Sequence, residues 1–155
     1  MFATGDRVVY PLHGGAIIKE IEQREQDGAL VDYFILQMLF ENMTVSIPVE
    51  NADRLGLREI VPVEKLDEVA AVLREVPDVQ SVKSISWNRR FQVYMEKIKS
   101  GCILEVAKVF KILVVLEQDK KISVGERRLL HNAKQILQSE IMLVKVLMLR
   151  KLKRG

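Results

Sequence analysis

At 155 residues, with 48% hydrophobic and 29% charged residues, the chain is long enough for one domain or two small ones, and its composition excludes a disordered polymer. Its single cysteine, Cys102, cannot form an internal disulfide, and with only two histidines no Cys/His cluster exists for structural zinc, which argues for a reducing cytoplasm. The formal net charge of +3 divides unevenly: residues 1–60 hold 5 Lys/Arg against 10 Asp/Glu, a net of −5, and residues 61–155 hold 19 against 11, a net of +8. An acidic part joined to a basic part implies two partners with different demands, the second of them nucleic acid. Met1 to Arg7 lack the blocks of a signal peptide, and no apolar run nears the roughly 18 residues of a membrane span, so a cytoplasmic protein without a membrane partner is expected.

In chain order, residues 1–60 read as short strands. Arg7-Val8-Val9-Tyr10 is β-rich and stopped by Pro11, with His13-Gly14-Gly15 supplying turn residues. Strands are expected over 16–22, 31–38 and 43–49, the first two separated by a polar turn through Gln26-Asp27-Gly28. Several short strands at this spacing fit a small SH3-like or Tudor-like barrel. That fold does not choose its partner, but the excess acid argues against a phosphate-coated ligand and for a protein. Arg24, between Glu22 and Glu25, has two readings: an interface residue on a hairpin edge, or one half of an intramolecular salt bridge.

Residues 51–58 read as a link, and Val61-Pro62 marks the change of period. Val63, Leu66, Val69, Ala70, Val72 and Leu73 form a helical stripe ending before Pro77, and residues 77–85 read as a loop. A helix is expected over 87–100, with Ser86 at its N-cap, Phe91, Tyr94, Met95 and Ile98 at core spacing, and Gly101 as its stop. The apolar residues of 103–117 nearly encircle a helix, which should be the buried centre of a bundle. Ser123-Val124-Gly125-Glu126 is a capping box opening a last helix that runs into Met142-Leu143-Val144. The basic end, residues 150–155, fits a fraying solubilising terminus or a phosphate track. The expected architecture is therefore α+β, a Tudor/SH3-like barrel over 1–60 followed by an all-α bundle over 61–155.

No catalytic constellation can be assembled. His13 and His131 fall in different predicted domains, Cys102 has no adjacent histidine and reads as inert packing, and Gly14-Gly15 is too short a phosphate cradle. No enzyme, metal or cofactor is expected. What remains is Ser86-Trp87-Asn88-Arg89-Arg90, which holds the only tryptophan at a helix start. A flat apolar wedge beside phosphate-seeking cations is what a protein that kinks or opens a duplex requires. The same pentapeptide also fits a core tryptophan flanked by solvated arginines.

Four blocks in order give the chain a family resemblance. They are Gly5-Asp6-Arg7-Val8-Val9-Tyr10-Pro11 with His13-Gly14; residues 44–52; Trp87-Asn88-Arg89-Arg90-Phe91 with Glu96-Lys97 and Ser100-Gly101; and residues 123–130 with 133–137. Together they resemble the bacterial CarD/CdnL transcription factors. The resemblance implies an N-terminal Tudor-like domain that docks on the RNA polymerase β subunit through positions matched by Arg24, Ser46 and Pro48. It also implies a helical domain whose Trp87 wedges into the promoter minor groove at the upstream edge of the bubble, without reading sequence. Arg89, Arg90 and Asn88 would hold the backbone, and the open complex would be stabilised by a monomer brought to the nucleoid by polymerase. Two positions depart from the family: Gln92 stands where a DNA-contacting lysine is expected, and Ser46 where an arginine meets polymerase. Two other readings stay open. A KOW- or Tudor-like RNA or ribosome binder should have a basic barrel, whereas this segment nets −5. A purely structural helical protein would bury Trp87.

Overall fold

The computed structural model describes residues 1–119 and 122–154, with all their side chains except those of Ser81 and Arg154. Strands β1 (Arg7–Tyr10), β2 (Gly14–Gln26), β3 (Ala29–Met38), β4 (Thr44–Pro48) and β5 (Arg58–Glu59) form one antiparallel sheet in the order β4-β3-β2-β1-β5. The β2–β3 hairpin closes on Asp27-Gly28, where φ is 52° and 80° and Gln26 pairs with Ala29. This is the geometry that an Asp-Gly pair favours in a two-residue hairpin turn. Along β3 the alternation sends Phe34, Leu36 and Met38 into one core with Val8, Ala16, Ile18 and Ile47.

The sheet is more extensive than its pattern suggested. Gly14 and Gly15, expected in a turn, begin β2, and a register shift between Ile18 and Glu20 bulges the strand at Lys19. Arg58, expected in a linker, belongs to β5, where it pairs with Val9. Two residues are too few to show a period, so only the pairing reveals that strand.

Helices α1 (Lys65–Arg74), α2 (Val79–Lys83), α3 (Trp87–Lys99), α4 (Ile103–Gln118) and α5 (Val124–Arg154) follow. The expected loop over 77–85 contains α2, whose half-buried Val79 and Val82 pack against the helical core. Helix α4 sits at the centre, burying Ile103, Val106, Ala107, Val109, Leu113 and Leu116 against α1, α3 and α5. Gly101, at φ 75°, ends α3 as expected. Ser86 occupies the N-cap position but makes no side-chain cap bond. Cys102 is exposed at the start of α4 and is not the packed residue that was expected. Helix α5 continues through the basic end to Arg154, and Gly155 lies outside the described residues.

A polar joint ties α5 to the sheet. Gly15 N–H donates to Ser139 Oγ at 2.7 Å, and that hydroxyl donates on to Ile136 O at 2.8 Å. The approach is close: a Cβ on Gly14 would lie 2.8 Å from Ser139 Oγ, and one on Gly15 would lie 2.8 Å from Leu143 Cδ1. Gly14 also has φ 101°, so a side chain there would be strained as well as obstructed. At the next residue, the 1%-exposed Glu140 accepts two bonds from Arg58, at 2.8 and 2.7 Å, and one from Val61 N–H at 2.8 Å. Arg58 Nε donates to Gly101 O, which extends the joint to the end of α3. β5, the chain after it, α3 and α5 thus converge on one buried carboxylate.

Candidate nucleic-acid interface

Trp87 is the first residue of α3 and keeps 38% of its surface exposed. Its indole leans on Phe91, one turn later, with ring centroids 5.0 Å apart and planes tilted by 49°. The other support comes from the start of α5: a Cβ on Gly125 would lie 2.7 Å from Trp87 Cζ2. The missing side chain at Gly125 is what lets the ring seat there. The tryptophan is therefore neither a core residue nor a free flap; part of the ring is braced by Phe91 and Gly125 while the remainder faces solvent. Asn88 and Arg89 are exposed beside it.

The residues beneath the ring lock these two helix starts together. Glu126 is fully buried and completes the capping box: Glu126 N–H donates to Ser123 Oγ at 3.1 Å, while the carboxylate accepts from Ser123 N–H at 3.4 Å. The same Oε1 takes Arg90 Nη2 at 3.2 Å. The Arg90 side chain is only 17% exposed and is committed to this pair, unlike Arg89. In the sequence Glu126 reads as a cap and Arg90, by the family resemblance, as a phosphate contact. Their partnership spans 36 positions and left no local signal.

Tyr94, 3% exposed, lies under the same cluster, and burial followed by the nearby Glu126 charge pushes its pKa up to about 12. An unfolded tyrosine titrates near 10, so between about pH 10 and 12 the unfolded chain has released a proton that the native protein retains. Stability should therefore be undiminished below that window and fall across it, by roughly 3 kcal/mol from this residue. Denaturant unfolding from pH 9 to 12 should show the loss, and Tyr94→Phe should remove that share of it. An identical alkaline slope in the variant would mean that Tyr94 does not carry the effect.

On the sheet, the structure brings Arg24 and Ser46 together beside Pro48. Arg24 Nη2 donates to Ser46 Oγ at 3.1 Å across the intervening β3, and its guanidinium carbon lies 5.0 Å from the Tyr33 ring centroid. Tyr33 pairs in turn with Pro48. Arg24 also bonds Glu22 at 3.0 Å, an exposed pair that raises its pKa and holds its charge. Arg24 is thus salt-bridged, as one of its two readings expects, and its side chain stays exposed on the face. Gln92 is exposed on α3. Among the described residues, no group of three or more His, Cys, Asp or Glu could hold a metal, and no helix is long and apolar enough to cross a membrane.

Residues 2–61 match the family described as the CarD-like/TRCF RID domain, and residues 68–153 match the CarD C-terminal domain. The chain belongs to the CarD-like family. A relative from Bacillus subtilis (strain 168), named "Putative transcription factor YdeB", is 31% identical over 145 residues, covering 94% of this chain and 93% of its own length. The RID-domain match agrees with the N-terminal sheet, since that domain is Tudor-like, and the CarD C-terminal match spans the helices. Family and relative carry the names of transcription factors and not of an enzyme.

Proposed function

We propose that this CarD-like protein is a non-enzymatic regulator of transcription initiation, docking on the RNA polymerase β subunit through residues 1–60 and stabilising the promoter open complex through residues 61–155. The observation that carries the proposal is the half-exposed, braced indole of Trp87. An insertion wedge must present an apolar face to a base step without collapsing into its own core, and must be held when the DNA pushes back. Arg89 and Asn88 flank it and hold the phosphate backbone, a contact that fixes position without reading sequence. Arg90 acts one layer below, through Glu126, by fixing the helix starts that seat the ring. The acidic sheet meets a protein and the basic helices meet DNA. Tethering by polymerase supplies the effective concentration that so small a DNA contact needs.

The docking role falls to the Arg24–Ser46–Pro48 face. Ser46 orients the Arg24 guanidinium across the strands, which compensates for the family arginine it replaces. Arg24→Ala should weaken retention on immobilised β subunit by on the order of tenfold. Retention equal to wild type would remove Arg24 from the interface, and no retention of either protein would refute the docking role. The DNA role is tested by open-complex lifetime with and without the Trp87 ring.

A further inference from the structure

Helix α5 contains only two carboxylates, Glu126 and Glu140, which are 0% and 1% exposed and are paired with Arg90 and Arg58. Every charge that it shows to solvent is therefore positive. Its second half also leaves apolar residues uncovered: Met142 is 45% exposed, Val146 43%, Leu149 54% and Leu152 69%. Met142, Val146 and Leu149 recur at i, i+4 and i+7 and so share one face, the side turned away from the buried Leu143 and Val144. Lys145, Arg150 and Lys153 are exposed around that stripe, and none has an ion-pair partner among the described residues.

We propose that this face, from Met142 to Lys153, is a docking seam for an acidic amphipathic helix of a partner protein. An apolar stripe at helical spacing is what one helix offers another, and the flanking cations select carboxylates on the partner. A second copy of this chain fits poorly, because pairing the same seam with itself would bring Lys145, Arg150 and Lys153 against their own kind. A DNA backbone would find cations but would leave the apolar stripe with no matching surface. The seam covers roughly three helical turns, so the contact is small and weak by itself. It works as a second attachment for a protein already held elsewhere. The inference does not depend on the Trp87 wedge or on the docking face of the sheet.

The test is a titration of the isotope-labelled full chain, followed residue by residue in amide spectra, with a designed three-heptad peptide carrying Leu at its seam and Glu on both flanks. A second peptide with Lys in place of those Glu is the control. The expected result is shifts confined to the Met142–Lys153 face, with affinity at least tenfold above the Lys peptide and falling with salt. Leu149→Glu should abolish them, with Val146→Glu as an independent variant; both positions are exposed, and circular dichroism checks that the fold persists. Equal response to both peptides, or none, overturns the proposal. So does a response of this face to duplex DNA or to phosphatidylglycerol vesicles but not to the acidic peptide.

Discussion

Glu140→Ala should lower the unfolding free energy by about 3–5 kcal/mol, the cost of breaking a buried ion pair by removing one partner. The carboxylate is 1% exposed and holds three hydrogen bonds, two from Arg58 and one from Val61 N–H, which all lose their acceptor together. Arg58 keeps 28% exposure, so water recovers part of its charge and the lower end of the range is the better expectation. The loss should appear in urea unfolding and as a drop in Tm of roughly 6–12 °C. Replacing both partners, Arg58→Met with Glu140→Leu, should restore much of it, because the penalty comes from the orphaned charge and not from the absence of a pair. A cost below about 1 kcal/mol would mean that the Arg58–Glu140 pair contributes no more to the joint than an exposed ion pair does.

Glu126→Ala should cost a similar amount, about 3–4 kcal/mol, for a different combination of reasons. It strips the capping box from α5 and leaves Arg90, 17% exposed, without its partner. It should also be visible at the surface, since α5's first turn is the seat of Trp87. Tryptophan emission should shift to the red and become more accessible to acrylamide. Glu126→Gln preserves an oxygen for Ser123 and should cost less than half as much. A destabilised variant with unchanged emission would separate the capping role from the support of the ring.

These two carboxylates also mark where reading the sequence stops. Signals that lie within a few residues are legible: the strand over 31–38, the Asp27-Gly28 turn, the apolar girth of α4, and the Ser123–Glu126 box. So is the pentapeptide at 86–90, because an aromatic between arginines at a helix start is unusual locally. The partners that fix it are not legible. Arg90 meets Glu126, Trp87 meets Gly125, Arg58 meets Glu140 and Gly15 meets Ser139 across long separations in the chain, and nothing in either segment alone names the other. In the sequence Arg58 looks like a linker residue because two strand residues carry no period. Arg90 looks equivalent to Arg89 in the sequence because adjacency hides the roughly 100° between neighbours on a helix, which sends one inward and one out.

The central claim is that the braced, half-exposed indole of Trp87 stabilises an opened promoter. The most direct test is the lifetime of open complexes on a ribosomal RNA promoter, formed with cognate RNA polymerase holoenzyme, without the protein, with it, and with Trp87→Ala. Wild type should prolong the lifetime, and the variant should lose most of that gain while remaining folded, since the ring packs on Phe91 and Gly125 outside the buried core. A Trp87→Ala protein that is folded, still retained on polymerase, and as effective as wild type would contradict the account.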